Sequence, residues 1–403
     1  MRRLPLASLL LLSLFALPTG AAEVDYLRDV KPILHERCFA CHGALKQESD
    51  LRLDTGSLIR QGGASGAAIE PGKAAASLLI ERVVAESEDE RMPPEGKPLT
   101  VDEIAVLKQW IDAGAVSPDD EQPDEDPAQH WAFQLPVQSE VPHTNDPLWS
   151  HNPIDAFIAA ERERRDLMPV PLVERPVLLR RVYLDLIGLP PTRAQMQAFL
   201  DDTRDDAYER VVSELLESPH YGERWGRHWM DVWRYSDWFG LGAQLRYSQK
   251  HIWHWRDWII ESLNEDKGYD RMIEEMLAGD EIAPTDRDTL RATGFLARNY
   301  FLFNRTTWLD NTIEHTSQAF LGLTLNCAKC HDHKYDPISQ VDYYRMRAIF
   351  EPHQVRLDAV PGQTDFEKDG LPRAFDAHPE EPTYLHIRGD AANPDKNRVI
   401  TPG

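Results

Sequence analysis

Apolar residues recur at helical spacing through most of the 403-residue chain, and the exceptions divide it. Leu4 to Leu17 is almost wholly apolar, follows Arg2 and Arg3, and leads into Gly20-Ala21-Ala22. A positive start, an apolar run too short to span a bilayer and a small-residue end predict a secretory signal over residues 1–22. Next, Tyr26, Val30, Ile33 and Leu34 share one face of a helix. Thr100 and Glu103 make a capping box ahead of an apolar stripe of Ile104, Leu107, Trp110 and Ile111, and Gly114 is placed to end that helix. Two such helices predict a compact first domain over residues 23–116.

The pattern then stops. Ser117 to Pro127 holds six acidic residues and three prolines but no aliphatic one, so it opens an acidic, Pro-rich linker over residues 117–153. Helical periodicity fills residues 154–352. Predicted segments are Asp155–Arg165, Pro176–Ile187, Asp206–Glu217, Tyr221–Phe239, Ile252–Asn264, Arg271–Ala278, Asn311–Leu323 and Val341–Phe350. Beyond Pro352 the pattern is loop-like, with strand-type alternation only over Thr383–Ile387. Residues 353–403 read as a loop-rich tail, the start of a third domain that is cut short. The predicted class is mostly α.

Composition changes this picture in one respect. A formal net charge of −23 argues against nucleic acid and anionic membrane surfaces as partners. It suits an exported protein kept in solution by its charge, or one that docks a basic redox protein. After the signal, no stretch approaches the length of a membrane span.

The four cysteines say more. Cys38 and Cys41, then Cys327 and Cys330, form two Cys-x-x-Cys pairs, each followed directly by a histidine, His42 and His331. This is the attachment pattern of haem c. Two thiols at this spacing reach the two vinyl groups on one edge of a porphyrin, and the adjacent imidazole lies where it can ligate the iron. Export agrees, because c-type haem is attached outside the cytoplasm. Short disulfides, a thioredoxin-like pair and a zinc site are the alternatives; an adjacent Cys-His serves a four-ligand zinc site poorly. Two covalently bound haem c groups are therefore expected.

Axial ligands follow unequally. Met92, in Arg91-Met92-Pro93-Pro94, is the one methionine between the signal and the acidic stretch, and it stands on a loop stiffened by prolines. It is the candidate second ligand of the first iron, the alternative being simple packing on the ring edge. For the second iron the candidates are His228, His254, His315, Met230 and Met346. His228 is preferred for its Trp-rich helix; His333 follows His331 too closely to cross the ring. Trp225, Trp229 and Trp233 repeat on one helical face, with Trp238, Trp253, Trp255 and Trp258 after them. They are expected as core, a haem-pocket wall or a sugar-stacking platform.

These residues carry a family resemblance. Val30-Lys31-Pro32-Ile33-Leu34, Cys38 through Gly43 and Met92-Pro93-Pro94 resemble the planctomycete-type cytochrome c domain. Leu179-Arg180-Arg181, Asp185 through Thr192, Ser218 through Trp225, Ala278-Gly279-Asp280, Cys327 through Ile338 and Asp342-Tyr343-Tyr344 resemble the helix-rich second cytochrome-like domain that follows it. The resemblance implies a small class-I-like cytochrome c domain joined to a larger helical one with a second haem motif. It also implies export, and a further domain of unknown function whose lead-in Tyr384 to Asp390 resembles. His315 and the segment from Leu241 to Gln249 depart from the pattern. The resemblance implies no particular reaction. The expected function is electron transfer by an exported, periplasmic dihaem cytochrome with redox partner proteins. A peroxidase-like enzyme with an open second iron, or a carbohydrate-binding scaffold, is the alternative.

Overall fold

Half of the described α-helices begin where a short polar side chain accepts one of the first unpaired amides. Thr100 accepts from the Glu103 amide while the Glu103 carboxylate accepts from the Thr100 amide, the reciprocal box expected from sequence. Thr192 with Gln195 and Ser339 with Asp342 repeat the device, and Asn152, Ser218 and Asn304 cap singly. The computed structural model describes residues 24–87, 89–94, 97–144, 152–236, 250–298, 300–301 and 303–403. The predicted signal, Trp238 and the segment from Leu241 to Gln249 lie outside the described residues. About 51% of the chain is helical, so the mostly-α class holds.

The described residues divide into two units, one up to Pro136 with 334–337, the other from Val137 to His333 and from Ile338 to Gly403. In the first, a wide turn over Tyr26–Val30 leads into α1 (Lys31–Arg37) and the one-turn α2 (Phe39–His42). Then come α3 (Gly56–Gln61), α4 (Leu78–Val84) and α5 (Val101–Asp112). The Tyr26 ring lies 5.4 Å from that of Trp110, and Leu34, Ile59, Leu107 and Ile111 close the core. Each such burial contributes about 1.5–3 kcal/mol. Trp110 satisfies its indole N–H on the Val116 carbonyl at 2.8 Å. Gly114, at φ +99°, reverses the chain after α5, a conformation that favours glycine.

The acidic stretch behaves differently from its composition. Glu121 accepts from Lys31 Nζ at 2.7 Å and from the Gly56 amide at 2.8 Å. The Asp124 amide donates to the fully buried Asp54, and Arg52 bonds both the Asp54 carboxylate and the Asp124 carbonyl. A segment with no aliphatic residue is thus fastened by charge and amides. Composition shows the carboxylates but not the cation and amides that await them.

The second unit contains α6 (Pro153–Arg164), α7 (Arg175–Leu186), α8 (Arg193–Asp201), α9 (Ala207–Leu216) and α10 (Pro219–Val232). It continues with α11 (Trp253–Asn264), α12 (Tyr269–Ile282), α13 (Arg287–Ala292), α14 (Gly294–Ala297), α15 (Arg305–Thr316) and α16 (Gln340–Phe350). Leu179, Val182, Tyr183, Phe199 and Leu215 join α7, α8 and α9. The larger core holds Trp233, Trp255, Trp258, Phe295, Trp308, Tyr343 and Tyr344. Three tryptophans of the Trp-rich stretch are therefore core residues.

Several expectations change. The helix expected to reach Phe239 ends at Val232, and Arg234 at φ +58° turns the chain away. The helix expected from Asn311 starts at Arg305 under its Asn304 cap, then widens into a π turn over Ser317–Leu321. The expected loop-rich tail forms two antiparallel hairpins, and the strand-type alternation expected over Thr383–Ile387 falls on one of their strands. β1 (His353–Asp358) pairs with β2 (Leu371–Asp376), Val355 opposite Ala374. β3 (Thr383–His386) pairs with β4 (Pro394–Ile400), with a register shift between Tyr384 and Leu385. The Ala374 amide bonds Thr293 Oγ1, and Ala374 and Leu385 join the core. Burial of Arg373 beside Asp358 hides the first hairpin from an apolar pattern.

Candidate haem sites

The first Cys-x-x-Cys-His is one tight turn. The Cys38 carbonyl accepts from the amides of Cys41 and His42 at 3.1 and 2.9 Å, which draws the two thiols and the imidazole together. The chain must then leave sharply. A Cβ on Gly43 would meet the Phe39 carbonyl oxygen at 2.5 Å, so only glycine fits directly after His42.

Cys38, Cys41, His42 and Met92 all line one cavity of about 270 Å³. Leu51, Leu53, Leu79 and Val83 supply its apolar wall, and Arg37 and Arg82 reach its edge. Met92 is brought there by its amide bond to the Arg82 carbonyl at 2.9 Å, and Pro93 and Pro94 line the cavity beside it. Arg37 is held by Glu103 at 2.9 Å, so the capping residue of α5 also fixes the end of α1 beside Cys38. The four predicted residues of the first site therefore meet in one place.

The electrostatics suit a neutral ligand set. Burial lowers the pKa of His42, opposed by the Glu48 and Leu51 carbonyls, so its imidazole is neutral near pH 7. Its Nδ1 is buried without a hydrogen-bond partner. Burial, then the neighbouring Cys41, pushes the Cys38 thiol up to about 12. No disulfide joins any of the four cysteines. A tethered porphyrin fits this cavity: thiols at one edge, an imidazole and a thioether on its wall, and aliphatic side chains to exclude water.

The second motif lies on a different kind of surface. Asn326–Lys329 is a short 3₁₀ turn anchored by the fully buried Ala328, while Cys327, Cys330 and His331 are exposed. His331 Nδ1 lies 2.8 Å from the Asp332 carbonyl. A proton there leaves the Nε2 lone pair to bind a metal. The Lys329 carbonyl accepts from Gln340 Nε2 at 3.0 Å and from the Tyr344 hydroxyl at 3.2 Å. Lys329 Nζ pairs with Asp310 at 2.7 Å, and Asp310 also accepts from Tyr343 and Arg347. The turn after β3 closes over the motif, where a Cβ on Gly389 would lie 2.5 Å from Cys330 Sγ. Asp310, Gln340, Tyr344 and Gly389 escape sequence reasoning, since only the fold brings α15, α16 and the β3–β4 turn to the motif.

The residues expected as a sixth ligand at the second motif lie on different elements. His228 is exposed on α10 with its ring 5.5 Å from that of Trp225, and no described contact brings it to Cys327–His331. His254 bonds Asp369 at 2.8 Å. Met230 packs on the core beside Gly226, and Met346 lies on α16, the helix packed on the motif.

Residues 38–96 match the model of the family described as Planctomycete cytochrome C. Residues 153–355 match the family described as Protein of unknown function (DUF1549). No curated protein and no solved structure matches the chain. The first match implies covalently bound haem c at a cytochrome c domain. The second spans half of the chain and includes the second Cys-x-x-Cys-His. The chain therefore belongs to the DUF1549 family, in the arrangement that places a planctomycete cytochrome c domain ahead of it.

Proposed function

We propose that the protein is an exported dihaem c-type cytochrome that transfers electrons to and from redox partner proteins. The observation that carries this reading is the single cavity onto which Cys38, Cys41, His42 and Met92 all converge. Haem c, when bound, supplies one-electron cycling between ferric and ferrous iron. The chain does the rest. Cys38 and Cys41 would tether the ring, and His42 and Met92 would hold its iron, where a thioether ligand raises the potential. Leu51, Leu53, Leu79 and Val83 keep water off it. At the second motif Cys327 and Cys330 would tether a ring and His331 would hold its iron, with the imidazole tautomer fixed by the Asp332 carbonyl. The signal over residues 1–22 directs the chain to the periplasm, where both attachments are made.

One observation favours a second reading. Cys327, Cys330 and His331 are exposed, and no described contact brings His228 to them. An iron held there by His331 would lie within reach of a small ligand from solvent, which suits a peroxidase-like reaction.

A pyridine haemochrome assay with intact mass on the mature protein tests the main reading. Two haems are expected, and one fewer after Cys327→Ser. A single haem in the unmodified protein overturns the dihaem assignment. A high-spin signal that shifts with cyanide selects the peroxidase-like reading, and a wholly low-spin protein removes it.

A further inference from the structure

Arg298, just past α14, is only 5% exposed. Its guanidinium carbon lies 4.4 Å from the Phe295 ring centre and 5.9 Å from that of Trp255. Nη1 donates to the Phe295 carbonyl, but Nε and Nη2 are buried with no acceptor. The group is still charged near neutrality, although burial, then Arg234, pulls its pKa to about 9.

The surrounding charges make matters worse for it. Arg234, exposed beyond the end of α10, places Nη1 3.1 Å from Gln318 Oε1, and its charge acts on Arg298. His315 on α15 stands in the field of both arginines; with burial as the main cause, they hold its pKa at about 3. No described carboxylate pairs with Arg298. Burying a charge is costly unless it is paired and hydrogen-bonded. Stacking on Phe295 and Trp255 offsets part of that cost but satisfies neither nitrogen. Nε and Nη2 form one edge of a planar fork, the geometry that takes two oxygens of a carboxylate or oxyanion.

We propose that Arg298, together with Arg234 and His315, forms a binding site for a small carboxylate or oxyanion. Two sources offer that chemistry. One is a free anion from solution. The other is a propionate of a haem tethered at Cys327 and Cys330, and this arm rests on the dihaem reading.

The test is thermal unfolding of the full haem-loaded protein with sodium formate or sulfate, against sodium chloride at matched ionic strength. The expected result is a saturable rise in Tm beyond the chloride control, abolished by Arg298→Met. Arg234→Gln, at an exposed position, should weaken the apparent Kd about tenfold, roughly the loss of one charge-assisted contact. It carries the test if Arg298→Met fails to fold by circular dichroism. The same titration on Cys327→Ser/Cys330→Ser separates the sources. A response in both backgrounds identifies a free-anion site. A response only in the double variant, whose intact mass must be one haem lower, identifies the propionate. No response in either, or a response unchanged in both arginine variants, overturns the site. Absence of a second haem from the intact mass removes only the propionate arm.

Discussion

Asp310→Asn is the most direct probe of what holds the second Cys-x-x-Cys-His in place. The Asp310 carboxylate receives Lys329 Nζ at 2.7 Å, the Tyr343 hydroxyl at 2.7 Å and Arg347 Nη1 at 3.3 Å. Asparagine has the same shape and keeps an oxygen for Tyr343, but loses the charge for both cations. A hydrogen bond to a charged group is worth about 1.5–3 kcal/mol. Arg347 retains Glu351 at 2.9 Å, and Lys329, about a quarter exposed, can rehydrate. The cost should therefore be about 2–3 kcal/mol, below the 3–5 typical when a buried charge is orphaned. Equilibrium urea unfolding followed by far-ultraviolet circular dichroism measures it, since a haem would quench tryptophan fluorescence. The loss should persist at about 0.5 M salt, because partly buried pairs are weakly screened. Lys329→Met should add little in the Asp310→Asn background. A loss below about 0.5 kcal/mol, or an undiminished Lys329→Met effect in that background, would refute the assignment.

Further expectations concern the first site, pH and the frame. Met92→Ala should leave haem content unchanged, lower the potential of the first haem and admit cyanide to its iron; a spectroelectrochemical titration that finds the potential unmoved removes Met92 from the iron. Burial holds His353 at about 4 against an ordinary 6.5, so between those values the unfolded chain binds a proton that the folded one refuses. Its contribution is complete above pH 6.5 and is lost as the pH falls toward 4, by up to about 3 kcal/mol; His353→Gln should flatten that slope in urea titrations, and an identical slope sinks the argument. Thr100→Ala removes half of a capping box and should cost about 1 kcal/mol by thermal unfolding, with a change under a few tenths counting against the cap.

What could be read in advance was local. The capping box at Thr100, the stripe of Leu107, Trp110 and Ile111, and the terminating Gly114 depend on neighbours within a few turns, so their spacing carries the information. The same logic applies to α8, whose Thr192-Gln195 box is present in the sequence as a signal that the predicted segments omit. Met92 was legible because it is the one methionine between the signal and the acidic stretch, and the Arg82 carbonyl then places it on the cavity. Of the hairpin strands only β3 was, through the alternation over Thr383–Ile387. β2 is buried along four successive residues that include Pro372 and Arg373, and neither alternation nor a simple apolar run announces such a strand. The setting of the second motif was equally hidden. Asp310, Gln340, Tyr344 and Gly389 meet it only because α15, α16 and the β3–β4 turn fold onto Cys327–His331.

The fastening of the acidic stretch bears on where the chain can be cut. A fragment ending at residue 116 looks complete by its helices, yet it discards Glu121 and the Asp124 backbone. Lys31 and the Gly56 amide would lose their shared acceptor, and Asp54, fully buried, would keep Arg52 but lose the Asp124 amide. A protease acting between 117 and 121 would leave Glu121 and Asp124 attached only to the chain beyond the cut, loosening the base of α3 and the start of α1. The unit that holds this core runs on to Pro136 and takes in 334–337, and Glu121 and Asp124 are as much a part of it as Leu34 or Trp110.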